Sequence, residues 1–415
     1  MLNTLRLAFK NLTRYKRRSL LTGLLIVLGV GAVIVFSGLS DSFKRLMIGQ
    51  ITDSMLSHLQ VHKKGYVASI DNLPLNLNLP PQAYQRVKAM LEAEPGVAAL
   101  APRLKLGGML SNFETTTAVR INGIEPQAED QVVPDLRGRV SGRQPGQALV
   151  GRGEILLPEV LARGLDLQPG AEVVVVATNR EGSVNGLPLR VGGVVASVMG
   201  PGGRDGYMHI DDAAELLRMP KPEISEVVVR VKDFNKLEEV AGRLKTELEQ
   251  GKNPKGLPMF ELHTWADLAP FAHIARLIDL MTIFIKAILV AVVLISILNV
   301  MMMSVFERVR EIGTLMAIGT TPGKVARLFL AEGFILGLAS SLAGAALGVG
   351  VIAALHATKV SFLFGMGQRI VLAPTVGAGT VVGVCLIVVA VAALASLQPA
   401  MKAARLEPVE ALRHV

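Results

Sequence analysis

Four stretches of this 415-residue chain are long and apolar enough to cross a bilayer, which constrains its fold more than any other feature. Residues 20–39 carry no charge, and about twenty helical residues at 1.5 Å each cover a hydrocarbon core of roughly 30 Å. Three more runs, 280–306, 328–355 and 371–397, are rich in Leu, Val, Ala and Gly. Each is expected to be a transmembrane helix. Arg14, Lys16, Arg17 and Arg18 precede the first run as in a signal peptide. That run exceeds a usual signal core and no A-x-A site follows, so it is expected to be retained as a membrane anchor.

The net charge of +9 raises the question of a nucleic-acid partner, and its distribution answers it. From Asp41 to Ile278 there are 27 basic and 28 acidic residues, leaving 16 basic and 6 acidic beside the apolar runs. The large middle is neutral, so the basic excess suits an anionic membrane surface and not a nucleic acid. Basic residues lie before run 1, between runs 2 and 3 (Arg308, Arg310, Lys324, Arg327) and after run 4 (Lys402, Arg405, Arg413). Only Lys359 and Arg369 separate runs 3 and 4. The positive-inside rule therefore expects a basic cytoplasmic segment 1–19, a tail 398–415 on the same side, and residues 40–279 and 356–370 across the membrane. The single cysteine, Cys385, excludes an internal disulfide and a cysteine zinc site.

Two ionisable residues interrupt the runs, where charge is costly enough to mark function. Lys286 is expected to snorkel to the headgroups, and Glu332 to pair with Lys324 and Arg327 at the interface. Gly344 and Gly348 form a G-x-x-x-G, which favours close helix packing, within the chain or with a second copy.

Phe43, Met47 and Ile51 continue run 1 at helical spacing, so a stalk is expected over 40–56. Strand, helix and strand follow near 57–64, 81–94 and 97–105, and the same order recurs near 224–232, 235–250 and 259–264. These are expected as two halves, 57–107 and 221–266, of one α/β domain. An insert over 108–220 is rich in Gly, Val and short strands and reads as a β-rich subdomain. Its only aromatics, Phe113 and Tyr207, make no stacking platform for single-stranded nucleic acid. The glycine-rich stretch 193–207 is expected as a loop.

No catalytic motif stands out. Gly319 to Lys324 has three residues between its glycines and Val325 after the lysine, so it is not a phosphate loop. There is no G-x-S-x-G and no H-E-x-x-H, and His58 and His62 flank a strand-like region where a four-residue spacing does not build a helical metal site. An enzyme in its own right is not expected.

Glu307-Arg-Val-Arg-Glu-Ile-Gly-Thr-Leu-Met-Ala-Ile-Gly319, directly after run 2, resembles the E-R-x-R-E-I-G-x-L-x-A-I-G signature of the FtsX/MacB/LolC-LolE superfamily of ABC-transporter permeases. Glu332-Gly333, the opening Leu5 to Thr22, Thr264-Trp265 and the ending Gln398 to Arg413 also resemble that family, and Met316 departs from the Arg of many members. The resemblance implies an α+β integral membrane protein with four transmembrane helices and a large extracytoplasmic α/β porter-like domain carrying a Sabre-like β insert. It implies a coupling helix over 307–327, in which Glu307, Arg308, Arg310, Glu311, Gly313, Leu315, Met316 and Gly319 face an ATPase. Charged Glu307, Arg308, Arg310 and Glu311 would form an interfacial turn there, with Ile312, Leu315, Met316 and Ile318 as its apolar face.

Because this chain has no nucleotide motif, the ATPase would be a separate subunit in two copies, which binds the ATP and Mg. A second permease copy or a homologous permease, a periplasmic or outer-membrane adaptor, and lipid are the other implied partners, in a bacterial inner membrane. Two functions follow from the resemblance. One is mechanotransmission for lipoprotein or lipid extraction or for export of a periplasmic substrate; the other is division-type activation of a cell-wall hydrolase with nothing transported.

Overall fold

The computed structural model describes residues 7–8, 10–11, 13–14, 16–144, 146–197, 205–251, 256, 258–268, 271–358, 361–364, 368–371 and 373–406. Lys359, Gly200, Gly202, Gly203, Leu5, Arg6, Phe9, Leu12 and residues 407–413 of the family-like ending lie outside them. The chain divides into two compact units, one of residues up to Arg45 with Arg276–Phe364 and those from Arg369 onward, the other of Leu46–Ala275.

Helix α1, Lys16–Ile51, is 36 residues long and has no proline. At 1.5 Å per residue it measures about 54 Å, so it outruns a bilayer and includes the expected stalk through Phe43 and Met47. Thr52–Leu56 then widen into a π turn.

In the second unit β1 (Leu59–Lys63), α2 (Pro81–Ala93) and β2 (Val97–Ser111) make the first β-α-β pass. The insert supplies β3 (Thr116–Ile124), α3 (Pro126–Val132), β4 (Val140–Ser141), β5 (Glu154–Pro158), α4 (Glu159–Gly164), β6 (Glu172–Thr178), β7 (Val184–Val195), β8 (Asp205–His209) and α5 (Ile210–Leu216). The second pass is β9 (Glu226–Val231), α6 (Leu237–Gln250) and β10 (Phe260–Thr264). Pro81 opens α2 at a position whose N–H needs no helical partner. Along α6, Leu237, Val240, Leu244 and Leu248 are buried, as their spacing predicts.

The two passes interleave. The strand order begins β10-β1-β9-β2, and β1 runs antiparallel to both β9 and β10 while β9 runs antiparallel to β2. That is the split β-α-β arrangement of ferredoxin-like folds, in which neither half can form its sheet without the other.

The insert is not a separate subdomain, which corrects its expected boundary at 107/108. β2 spans 15 residues; its first part pairs with β9 and its last part with β3 and β6. From β2 the pairing continues through β3, β8, β5 and β7 to β6 and returns to β2, so six strands close a ring that shares β2 with the ferredoxin-like sheet. Closure removes the free edges that short strands otherwise expose. One apolar core runs through both parts, from Leu59, Val87 and Leu91 to Leu110, Val175 and Leu189, each buried side chain contributing roughly 1.5–3 kcal/mol. Asp205, Gly206 and Tyr207 belong to β8, not to the loop expected over 193–207.

The membrane unit continues with α7 (Phe271–Glu307), α8 (Val309–Ala317), α9 (Pro322–Thr358), the hairpin β11 (Ser361–Phe364) and β12 (Gln368–Val371), and α10 (Ala378–Ala404). α1, α7, α9 and α10 are each long and apolar enough to span a membrane. The fourth helix starts seven residues later than the run 371–397 suggests. Val371 ends a β-strand, Pro374 disfavours helix in the residue before it, and Gly377 caps the start. The coupling segment expected over 307–327 is shorter, since residues 322–327 already belong to α9.

α1 and α9 pack through small residues. A Cβ on Gly344 would lie 2.7 Å from Val30 Cβ, and one on Gly348 would lie 2.9 Å from Ile34 Cβ. The Gly344/Gly348 pair therefore serves packing within the chain, with α1. On the same stripe of α9, two turns toward its N-terminus, a Cβ on Gly337 would meet Ala392 of α10 at 2.5 Å.

Candidate functional site

The signature after run 2 begins where α7 stops. Arg308 leaves helical geometry at φ −113°, ψ 17°, and α8 resumes at Val309. The break turns the Arg308 side chain inward, where it is buried against the Phe329 ring at 5.6 Å. Its Nη1 donates to both carboxylate oxygens of Glu332, at 3.0 and 3.3 Å, and its Nε to Glu311 Oε2 at 3.1 Å. Asn11 Nδ2 donates to Glu332 Oε1 at 2.7 Å. Arg14 lies 3.7 Å from Glu311. One buried carboxylate on α9 thus holds the start of the coupling helix and the segment leading into α1. A buried charge costs several kcal/mol unless paired, so these three segments are obliged to stay together.

This corrects two expectations. Glu332 pairs with Arg308 and not with Lys324 or Arg327, which stand eight and five residues before it and so miss the three- or four-residue spacing that makes neighbours on a helix. Arg308 is an internal strut and not a partner-facing charge.

α8 divides accordingly. Ile312 and Gly313 are buried and Met316 packs partly against the helix core, whereas Arg310, Thr314, Leu315 and Ile318 are exposed. Ile312 is therefore removed from the expected docking face. Arg310, Thr314 and Ile318 recur every four residues, as one stripe on a helix requires. Glu307 is also exposed.

Gly319 ends α8 at φ +93°, a conformation side chains disfavour. The Gly319 N–H donates to Met316 O, and the Thr320 N–H to Leu315 O, the paired bonds of a Schellman stop. Pro322 then opens α9.

Residues 19–247 match the family profile of the MacB-like periplasmic core domain, and residues 283–408 that of the FtsX-like permease C-terminal region. The first match alone covers more than half of the chain. This protein belongs to the MacB/FtsX family of ABC transporter permeases. The chain is 23% identical to the lipoprotein-releasing system transmembrane protein LolC of Neisseria meningitidis serogroup B, over 94% of this chain and 92% of LolC. It is 26% identical to the ABC transporter permease YknZ of Bacillus subtilis, over 100% of this chain and 99% of YknZ. To the macrolide export ATP-binding/permease protein MacB of Nitrobacter winogradskyi it is 31% identical over 55% of this chain, which corresponds to 34% of that longer protein.

A permease of the MacB/FtsX family works with a partner ATPase subunit, and α8 is the segment of this permease that carries the signature. Sequence reasoning missed Asn11, the second donor to Glu332. Its signal was Glu332 itself, because a carboxylate inside an apolar helix demands donors from other segments. Lys286 is half-buried fifteen residues into α7, and among the described residues no carboxylate pairs with it. Of the stalk residues, Phe43 is exposed, Met47 half-buried and Ile51 buried.

The periplasmic core domain of this permease holds its own buried ionic cluster. Arg103 on β2 pairs with Glu129 of α3 and Glu226 of β9, and Lys105 Nζ stands 2.8 Å from Glu226. His62 on β1 lies 3.5 Å from Glu226 and stacks on Tyr66. Burial alone would raise the Glu226 carboxyl, but Lys105, His62 and Arg103 outweigh it and hold it well below the usual carboxylate range. Arg103 thereby ties the ferredoxin-like sheet to the insert.

Proposed function

We propose that this permease passes the work of ATP hydrolysis, performed by two copies of a separate ATPase that binds the ATP and Mg, to its domain beyond an inner membrane. The ATPase docks on the exposed stripe Arg310, Thr314, Leu315 and Ile318. Movement of α8 is carried to α9 and α1 through the Arg308–Glu332–Asn11 contacts, and α1 continues without a helix-breaking proline into the stalk. That buried junction is the observation that carries the reading. A lipoprotein or lipid beyond the membrane is the substrate class best supported, because the match to LolC extends over nearly the whole of both chains.

Co-purification from detergent-solubilised host membranes tests the docking face. The native chain should retain an ABC ATPase, identified by mass spectrometry and by ATP turnover. Ile318→Asp should lose it and Glu181→Lys, a charge reversal in the insert, should keep it. Equal retention by both variants would refute the docking face.

A further inference from the structure

The stalk enters the periplasmic core domain through an unusual turn. After Ile51, α1 widens to the π turn Thr52–Leu56, and Ser57 stands at φ 58°, ψ −164°, a backbone region that glycine favours. Such a conformation persists only where its surroundings fix it. Ser57 is fully buried, its Oγ donates to Val229 O of β9 at 3.0 Å, and its N–H donates to Thr52 O.

The carbonyls of this turn are capped from several directions. Asp53 O accepts from the Asp135 N–H at 2.9 Å, Ser54 O from Arg139 Nη1 at 2.9 Å, and Leu56 O from Gln60 Nε2 at 3.1 Å. Arg139 also donates through Nη2 to Ala196 O at 2.7 Å, so its guanidinium bridges the turn and the insert. It is buried, and among the described residues no carboxylate pairs with it. Arg230 of β9 donates to Asp53 Oδ1 at 2.7 Å and to Val132 O at 3.4 Å. One arginine of the insert and one of the ferredoxin-like sheet thus grip adjacent residues of one helical turn.

We infer that Arg139 and Arg230 are positioning residues that lock the stalk's last turn to the ferredoxin-like sheet and the insert together, so that both move with the stalk as one body. A stalk serving as a tether needs neither a buried guanidinium spent on carbonyls nor an unfavourable Ser57 backbone. The purpose of the lock rests on the mechanotransmission reading; its existence does not.

The test uses the full chain in lipid nanodiscs with Cys385→Ser, spin-labelled at Met47→Cys with either Glu181→Cys in the insert or Lys245→Cys on α6. Pulsed dipolar spectroscopy should give narrow distance distributions for both pairs. Arg139→Gln should broaden the 47–181 distribution at least twofold, and Arg230→Gln should broaden the 47–245 distribution likewise. The charge swap Asp53→Arg with Arg230→Asp should narrow the latter again, which a general loss of folding would not produce. Arg163→Gln, on an exposed insert helix, is the control. If Arg139→Gln fails to fold, as judged by Trp265 fluorescence, Arg230→Gln and the swap still decide the question. Unchanged distributions in the arginine variants would overturn the lock. Broadened distributions with the extracytoplasmic task intact would keep the lock and overturn its use in transmitting work.

Discussion

Arg308 and Glu332, twenty-four residues apart in the chain, form a buried ion pair at 3.0 Å that fixes the break between α7 and α8 against α9. The pair is internal to the membrane unit, so the conspicuous charges of the family signature divide into an inner strut and an outer stripe.

Among the described residues, removing Arg308 leaves the Glu332 carboxylate buried with no cation and only the Asn11 amide, and removing Glu332 leaves the buried Arg308 guanidinium with the half-exposed Glu311 carboxylate. Arg308→Met and Glu332→Leu should each destabilise the bundle by about 3–5 kcal/mol, while the double variant should cost less than their sum. Reversible unfolding in mixed micelles, analysed as a double-mutant cycle, measures this. Additive losses would mean that the pair makes no coupled contribution.

The glycines of α9 should respond according to what a side chain would meet. Gly344→Leu would collide with Val30 and the Val27 carbonyl and should destabilise the monomeric bundle by roughly 1–3 kcal/mol. Gly350→Ala has open space around its new methyl group and should be neutral or stabilising. Thermal unfolding at concentrations where the chain is monomeric separates this from an effect on association, since equal melting of the two variants would remove the intrachain contact.

His58 gives the periplasmic core domain an acid-sensitive element. Burial, and then the neighbouring Arg230, lowers its pKa from 6.5 to about 4, although Asp53 acts in the opposite direction. Its Nδ1 accepts the Val231 N–H at 3.1 Å, which requires the ring to be neutral at that nitrogen. Because the folded pKa lies below the unfolded one, the stabilisation is complete above about 6.5 and is lost as pH falls through about 4. Trp265, the sole tryptophan, is buried in this domain and reports its melting. The melting temperature should fall between pH 6.5 and 4, and His58→Asn, which keeps an acceptor but does not titrate, should flatten that interval. Parallel curves for the two proteins would contradict the assignment.

Sidedness follows from the basic-residue asymmetry. In a Cys385→Ser background, a cysteine at Gly146 should react with an impermeant maleimide in intact spheroplasts, and one at Gly323 only after lysis. Labelling of Gly323 in intact cells would reverse or break the four-span arrangement.

The sequence by itself determined the features set by local periodicity and composition. Uncharged runs of twenty or more residues have no soluble alternative, so four spanning helices followed directly. Period 3.6 along Leu237, Val240, Leu244 and Leu248, and the strand pattern near 224–232, likewise need only neighbours in the chain. The two β-α-β passes were legible for the same reason. Only the tertiary structure decided how those pieces share surfaces. Periodicity says which face of a strand is buried but not which strand lies beside it. The interleaving of β9 between β1 and β2, and the β2 strand common to sheet and ring, were therefore invisible. The same limit applied to the charges. Glu332 demanded a partner, but whether that was Arg327 on its own helix, or Arg308 and Asn11 from other segments, depended on where a break at residue 308 aims one guanidinium. Gly344 and Gly348 announced a close helix contact, and only the packing of α1 showed that Val30 and Ile34 of the same chain fill it.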